Sequence, residues 1–346
     1  MPLHRLAAVL AFCLVAAGAA PQACTARGAE GERSQHASAA RSEPKASEVV
    51  ELAEGERSPT PSPKVKAERV VSLNPSLTAT LIALGAGAQL VGVDDYSARQ
   101  QRAVRELPAV GGLFNPSLEA ILALEPDLVV LVPSAQQRDL RARLEALAVD
   151  VLELPNITLA ELLVSIEALG ARVGREQAAR ERVQEIRSAW QAAAVASRAL
   201  PPVRTVLVLQ REPLYVVGRG SFIDSMLVAA GAANLANVFA EPYPRASLEW
   251  LIAAAPELIL DASEDAEDAR EYWARWPSLP AVAANRVQRI PASEVTLPGP
   301  YPERALAQLA EAIHPASLPS SQGSPSVPPP SAPVTSVPAR SERRDP

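Results

Sequence analysis

Side chains able to form a covalent intermediate or to hold a metal ion are scarce in this chain. The two cysteines are Cys13 and Cys24, and the three histidines are His4, His36 and His314. All five lie outside, or at the very end of, the region predicted below to fold. A Ser-His-Asp or Cys-His arrangement needs an imidazole beside the nucleophile, and a zinc or manganese site needs clustered histidines and carboxylates. The residue types therefore predict a protein that is not an enzyme and carries no metal or cofactor of its own.

Charge and loop composition argue against two further classes of ligand, nucleic acids and nucleotides. The net charge is -6 and the pI about 5.4, which argues against a nucleic-acid partner because such a surface needs a basic face. No glycine-rich loop of the nucleotide-binding type follows a predicted strand. Catalysis by carboxylates alone stays open as a remote alternative, although no paired-carboxylate motif stands out.

Tyrosine is the residue whose placement points to binding. Aromatic residues make up 4% of the chain, and three of the five tyrosines, Tyr96, Tyr215 and Tyr243, fall on predicted loops. Tyr215 follows Pro213 at a strand edge and Tyr243 lies between two prolines, so both are expected in exposed loops outside any strand ladder. Tyrosine offers a large contact area and a polar tip at low entropic cost. A large, flat, apolar ligand would explain this placement, and ordinary packing is the alternative for each ring.

Strands and helices alternate from Arg69 to His314. The run Leu128–Val132 is continuously apolar, as expected for a strand buried on both faces. This alternation predicts parallel sheets, with ligands bound at the carboxyl ends of the strands. The predicted strands are Arg69–Leu73, Leu90–Val93, Leu128–Val132, Val151–Leu154, Val203–Leu209 and Tyr215–Val217.

One segment, Leu159 to Ala199, has the pattern of a long helix. It contains no proline, and its apolar residues recur at helical spacing. We predict a single helix of about 40 residues, about 60 Å long, with a possible bend at Gly170 and Gly174 and a stop at Pro201.

An internal repeat flanks this helix. The segments Ser117–Leu128 and Ser247–Leu258 share a Ser-Leu-Glu start and a proline exit. A repeat on both sides of a long helix predicts two similar lobes; coincidence between two helices rich in Ala and Leu is the alternative. The predicted fold class is α/β, with two Rossmann-like lobes of parallel sheet joined by one long backbone α-helix and a ligand cleft between the lobes.

The N-terminus is typical of an exported protein. Arg5 precedes the apolar run Leu6–Ala20, which has the layout of a secretory leader. Cleavage before Cys24 would leave this cysteine ready for acylation, but Pro21 and Gln22 match a lipoprotein signal poorly. A membrane-anchored lipoprotein and a free periplasmic or extracytoplasmic protein both stay open.

The chain as a whole divides into six predicted segments. These are a signal peptide at 1–24, a disordered tether at 25–68, an N-terminal lobe at 69–157, a spine helix at 158–200, a C-terminal lobe at 201–315 and a disordered Pro/Ser-rich tail at 316–346.

Five segments together carry a resemblance to a known family. They are Val70–Leu73, Val110–Gly112, Ser117–Val130, Val217–Ser221 and Pro242–Pro244. The whole predicted folded region resembles the class III, helical-backbone, periplasmic substrate-binding proteins of ABC importers, and is most similar to the vitamin B12-binding members. The resemblance implies a monomeric protein that delivers a metal chelate, above all cobalamin or another corrinoid, to a permease dimer with its ATPase.

The resemblance also implies which side chains contact the ligand. Aromatic rings line the cleft of the B12-binding relatives, and the matching residues here are Tyr96, Tyr215 and Tyr243. A tryptophan of that set falls at Leu113, which precedes Phe114.

Three further positions follow from the same resemblance. The relatives often carry an arginine in a late loop where this chain has Leu297 or Tyr301, so Tyr301 would add another cleft aromatic. One acidic residue on each lobe docks arginines of the permease dimer in the family, and the matching residues are Glu119 and Glu249.

Other ligands of the same fold stay open. Siderophore binders often present several cations to an anionic chelate, and the candidates for that role are Arg211, Arg219 and Arg245. Haem is less favoured, because the histidines lie outside the predicted cleft and Gly112 stands where haem-binding relatives carry a tyrosine. A sensory module that reuses the fold is a remote alternative.

Overall fold

A computed structural model describes residues 66–134 and 137–315. The predicted leader with Cys24, residues 25–65 of the predicted tether and the predicted tail lie outside the described residues, whereas Ala67, near the end of the predicted tether, is buried in the core of the first lobe. Among the described residues no helix has both the length and the apolar character needed to cross a membrane. The described chain forms two α/β lobes, and every strand predicted from the sequence is present within one residue at either end.

The first lobe is a four-stranded parallel sheet in the order β2-β1-β5-β6 with helices on both faces. Its elements are β1 (Val70–Ser72), α1 (Pro75–Ala83), β2 (Leu90–Val93), α2 (Asp95–Gln100), β3 (Gly111–Gly112), β4 (Asn115–Pro116), α3 (Leu118–Leu122), β5 (Leu128–Leu131), α4 (Arg138–Ala146) and β6 (Asp150–Glu153). Strand β5 is fully buried because Leu128 and Val130 face one core cluster while Val129 and Leu131 face the other. Short strands β3 and β4 form a separate antiparallel hairpin.

Two helices, rather than one, occupy the segment predicted as a spine. They are α5 (Leu159–Val173) and α6 (Glu176–Ser197), and the chain breaks between them at Gly174, whose φ is 70°. A Cβ placed on Gly170 would overlap Ala179, so the two helices cross closely at the joint. The prediction of one continuous helix is wrong, because a left-handed residue ends α5 while the apolar spacing continues past it.

Helix α6 is the element that joins the lobes. Ala179, Val183 and Ile186 on its first turns belong to the first lobe's core, and Trp190 further along packs against the cores of both lobes. Arg182 pairs with Glu303 of the second lobe at 2.9 Å. At 22 residues it is about 33 Å long, which is sufficient to span two small lobes.

The second lobe is a five-stranded sheet in which β7 pairs with β10, β8 and β9. Its elements are β7 (Val203–Gln210), β8 (Tyr215–Val216), α7 (Phe222–Ala229), β9 (Ala232–Asn234), α8 (Leu248–Ala254), β10 (Leu258–Asp261), α9 (Ala269–Trp273), α10 (Pro280–Ala283), β11 (Val287–Arg289), α11 (Ala292–Val295) and α12 (Pro302–Ile313). Strand β8 runs antiparallel to β7, and the other pairs in this sheet are parallel.

The internal repeat is visible in the hydrogen bonds. In the first lobe Arg69 donates from Nη2 to the carbonyl of Leu124, at 2.6 Å, and in the second Arg204 makes the same bond to Ala254, also at 2.6 Å. In each case an arginine at the start of the lobe's first strand satisfies a free carbonyl at or just after the end of α3 or α8. The next residue after each acceptor has a positive φ, 45° and 46°. Coincidence does not explain this shared detail, so the two lobes are structural repeats.

The joint between α5 and α6 gives the first prediction. In an uncrowded helix a Gly→Ala change stabilises by up to about 1 kcal/mol. We expect Gly170→Ala instead to lower the free energy of unfolding by about 1–3 kcal/mol, because the new methyl group overlaps Ala179. Urea denaturation of the purified protein measures the change.

Gly87→Ala is the matched control, since the nearest side-chain atom to its new Cβ is 3.9 Å away. Equal or greater stability of Gly170→Ala relative to this control would show that the helices do not pack as described.

Candidate ligand-binding cleft

The carboxyl edges of the two sheets face each other. The loop after β6 belongs to the first lobe's carboxyl edge, and α7 begins at the second lobe's carboxyl edge because it leads into parallel strand β9. The amide of Phe222, the first residue of α7, donates to the carbonyl of Ile157 after β6 at 2.7 Å. The loops at these two edges therefore lie close together, and the space beside this contact is the candidate cleft.

Tyr96 is held at this gap by a buried carboxylate. Asp94, directly after β2, accepts hydrogen bonds from the amides of Tyr96 and Ser97, both at 2.9 Å, and from the Ser97 hydroxyl at 2.5 Å. Burial raises the pKa of the Asp94 carboxyl, and these hydrogen bonds oppose the rise. The cap fixes the first turn of α2, and with it the half-buried Tyr96 ring.

Burial also raises the pKa of the Tyr96 phenol, and the negative charges of Glu264 and Asp94 raise it further. Glu264 belongs to the loop after β10 in the second lobe, so the Tyr96 hydroxyl lies within electrostatic reach of the opposite lobe. Neither Asp94 nor Glu264 was singled out from the sequence. For Asp94 the available signal was its position directly after the predicted strand Leu90–Val93, whereas the strand that precedes Glu264 was not predicted.

Leu113 and Phe114 form the tip of the hairpin β3–β4. Val93 at the end of β2 bridges to Ala109, so the hairpin continues beyond the carboxyl edge of the first sheet. The Gln137 side chain donates to the Leu113 carbonyl at 2.8 Å and anchors the tip. Phe114 is 40% exposed, as an apolar side chain available to a ligand would be.

Tyr243 does not lie in an exposed loop. It is 8% exposed and belongs to the core of the second lobe, so the exposure predicted for it is wrong. Its flanking prolines lack N–H groups, but their carbonyls still accept: Pro242 from the amide of Gly218 at 2.8 Å and Pro244 from that of Val216 at 3.2 Å. The segment is thereby tied to β8 and its ring turned inward. Contact between Tyr243 and a ligand stays a prediction.

Tyr215, on β8, is half-buried and packs beside the same core. Its backbone bridges to Arg245, which is exposed. Tyr215 therefore sits at the rim of the second lobe's core, a position compatible with its predicted ligand contact.

Arg211 is committed to the interior of the second lobe. Its side chain is 2% exposed, and its Nε lies 3.0 Å from the carboxylate of Asp261, which also accepts from Trp273 Nε1 at 2.7 Å. Its guanidinium lies 4.6 Å from the Tyr272 ring centroid, and Nη1 donates to the Glu267 carbonyl at 3.0 Å. The structure thus gives Arg211 an internal role, and the predicted free cation for a ligand is absent at this position.

Tyr301 lies beside the connecting helix. Its ring, 39% exposed, is flanked by the guanidinium groups of Arg182 at 5.0 Å and Arg304 at 4.6 Å. One cation–π contact joins the ring to α6, through Arg182, and the other to α12, through Arg304. Whether it also reaches a ligand stays a prediction.

Glu119 and Glu249 occupy equivalent sites on the repeats. Each is the second residue of a serine-capped helix, each is exposed, and both helices lead into parallel strands and so begin at a carboxyl edge. Hydrogen bonds from its own backbone amide and from the Ser247 hydroxyl lower the pKa of Glu249. Both carboxylates therefore lie on the carboxyl side of their sheets, one on each lobe.

Metal ligands do not gather in this region. Residues 66–134 and 137–315 contain no group of three or more His, Cys, Asp or Glu side chains arranged to hold a metal ion. The one histidine among them, His314, packs against Gly231 at the end of α12, away from the cleft loops.

The buried pair gives the second prediction. Arg211→Ala leaves Asp261 buried without its cation, so the free energy of unfolding is expected to fall by about 3–5 kcal/mol. Arg141→Ala is the control, because this half-exposed arginine pairs at the surface with Glu145 and Glu153, and such surface pairs should contribute less than about 1 kcal/mol each. Urea titrations of both variants measure the loss in the free energy of unfolding. Similar losses in the two variants would contradict the internal role of Arg211.

Comparison with known proteins identifies the family. A family model described as periplasmic binding protein matches residues 70–294. The vitamin B12-binding protein of Vibrio cholerae is 30% identical over 251 residues, which are 70% of this chain and 88% of that protein. The vitamin B12-binding protein of Salmonella typhimurium is 26% identical over 221 residues, 63% of this chain and 82% of that protein.

Solved structures of periplasmic binding proteins also match this chain. The periplasmic vitamin B12 binding protein BtuF of Vibrio cholerae matches with a TM-score of 0.62 and 26% identity, covering 71% of this chain and 96% of that one. A periplasmic haem-binding protein from Pseudomonas aeruginosa matches with a TM-score of 0.62 and 29% identity, covering 74% and 95%. The predicted family resemblance and the two-lobed α/β fold are confirmed, and the chain belongs to the periplasmic binding protein family, whose members bind substrates for transport and are not enzymes.

Proposed function

We propose that this protein binds a corrinoid, with cobalamin as the first candidate, outside the cytoplasm and delivers it to an ABC importer. The observation that carries the proposal is the 30% identity across 88% of a relative named for vitamin B12 binding. Export through the predicted leader, with or without acylation of Cys24, is part of the proposal.

The side chains around the candidate cleft support a large ligand with apolar faces. Tyr96 and Tyr215 are half-buried on opposite lobes, and Phe114 extends from a hairpin tip. Each aromatic ring offers a large area to a macrocycle, and the two tyrosines add hydroxyl groups able to meet its polar rim. A helix packed into both lobes favours a cleft that is largely formed before the ligand arrives.

An iron chelate of the same fold class is the second candidate. Haem-binding proteins are among the solved structures that match, at 26% and 29% identity. Two of the three arginines considered for an anionic chelate are engaged, since Arg211 pairs with Asp261 and Arg219 donates to the carbonyl of Asn237 at 2.7 Å. The pairing of Arg211 removes one of the three cations considered for an anionic chelate, which favours the corrinoid over a polyanionic siderophore.

Delivery requires a docking surface, and the two equivalent glutamates supply one. Binding proteins of this family work with an ABC permease and its ATPase. We propose that Glu119 and Glu249 contact cationic residues of a permease dimer, one lobe on each subunit, with this protein as a monomer. Exposed charge pairs of this kind mainly set orientation and association rate.

The ligand assignment gives the third prediction. Tyr96→Ala and Tyr215→Ala are each expected to weaken cyanocobalamin binding by about 1–3 kcal/mol, because each removes an aromatic contact. Isothermal titration calorimetry with cyanocobalamin, haemin and a ferric siderophore measures both the affinity and the choice of ligand. Tyr243→Ala should lower stability, since this ring lies in the core.

Leu147→Ala is the control, because Leu147 is exposed at the end of α4, where the chain turns back to the amino edge of β6. The site is misplaced if the tyrosine variants bind cyanocobalamin as tightly as this control does. Wild-type protein that binds haemin or the siderophore but no corrinoid would reject the ligand assignment.

Docking gives the fourth prediction. Glu119→Lys with Glu249→Lys should abolish corrinoid-dependent stimulation of importer ATPase activity in proteoliposomes, while leaving the affinity for cyanocobalamin unchanged. The control carries the same change of net charge at exposed sites elsewhere, Glu125→Lys with Glu311→Lys. Equal stimulation by the two double variants would rule out docking through the helix starts.

A further inference from the structure

We propose that Glu264 sets the charge selectivity of the candidate cleft, favouring ligands that present amide donors or positive charge and disfavouring carboxylate-bearing chelates. The inference rests on the proposed function in one respect, namely that the ligand occupies the gap between the two carboxyl edges. Glu264 would be a specificity-determining residue, with a role different from those of the tyrosines and of the docking glutamates.

The loop that carries Glu264 is fixed on both sides. Asp261 at the end of β10 accepts from the amide of Ser263 at 3.0 Å and from its hydroxyl at 2.6 Å. Arg289 donates to the carbonyl of Asp265 at 2.8 Å. A loop whose backbone is bonded immediately before and after one residue holds that residue in a set position.

The neighbouring acidic side chains already have cations, whereas Glu264 has none. Asp265 lies 3.6 Å from Arg211 Nε, and Glu267 forms an ion pair with Arg275. Glu264 is exposed and takes part in no ion pair among the described residues. The fixed loop therefore presents one free carboxylate at the edge of the cleft.

This carboxylate acts across the gap. Its negative charge contributes to the raised pKa of Tyr96 on the other lobe, after burial of that ring. In its own lobe Arg211 pairs with Asp261 and Asp265, and Arg289 donates to the carbonyls of Ser263 and Asp265. Both charges that act on the Tyr96 phenol, those of Glu264 and Asp94, are negative, so the field on the Tyr96 side of this gap is negative.

The chemistry of the candidate ligands separates them at such a site. The periphery of a corrin carries primary amides, which donate hydrogen bonds to a carboxylate, and aquocobalamin has one more positive charge than cyanocobalamin. Haem carries two propionates, which a fixed carboxylate repels. Glu264 should raise the affinity for cationic and amide-rich chelates and lower the affinity for anionic ones.

The test compares Glu264→Gln with wild-type protein, using aquocobalamin, cyanocobalamin and haemin in mildly acidic buffer at low ionic strength. The preference of the wild type for aquocobalamin over cyanocobalamin is expected to be about threefold to tenfold, and to approach one in Glu264→Gln. Haemin binding should strengthen by a similar factor. Glu257→Gln is the control, because Glu257 precedes the same strand at the opposite edge.

The possible outcomes separate this inference from the proposed function. Unchanged selectivity in Glu264→Gln, in protein that binds both corrinoids, overturns the inference and leaves the proposed function standing. Protein that binds haemin alone, and binds it more tightly after Glu264→Gln, supports the charge selectivity while rejecting the corrinoid. A change of equal size in Glu257→Gln would also overturn the inference, because the effect would then be one of net charge.

Discussion

The architecture depends on one helix being part of two hydrophobic cores at once. Helix α6 contributes Val183 and Ile186 to the first core, while Trp190 touches both. Because close-packed cores resist deformation, the lobes can change their relative orientation only by disturbing that packing. Loops on opposite sheet edges are therefore held near one another in the absence of any ligand, and binding need not include a large closure.

Single side chains also fix the cleft loops before a ligand binds. Asp94 directly follows β2 and Asp261 is the last residue of β10. Both are buried carboxylates, and each fixes the start of a cleft loop by accepting hydrogen bonds from the backbone and from a serine hydroxyl. One loop carries Tyr96 and the other carries Glu264. A ligand that meets groups already in place loses less free energy to ordering them. The two lobes thus use the same device with different side chains.

Much of the fold was predictable because it follows from local patterns. The apolar run at β5, the serine caps of α3 and α8 and the repeat between lobes all rest on periodicity or on neighbours in sequence, and each is present. The break in the spine was foreseen only as a bend at Gly170 and Gly174, because the apolar spacing persists across Gly174 and predicts a continuing helix. Tyr243 and Arg211 were misjudged for a related reason: their surroundings come from segments far away in the chain.

The sequence by itself determined the class of protein: alternating strands and helices, a duplicated unit, few groups able to do covalent chemistry and a set of loop aromatics. The tertiary structure decided which of those side chains remain available to a ligand. Arg211 is paired with Asp261, 50 residues away. Tyr243 lies in a core because the carbonyls of its two flanking prolines bond to the amides of Val216 and Gly218. Burial and pairing depend on contacts between distant segments, and residue type alone does not encode those contacts.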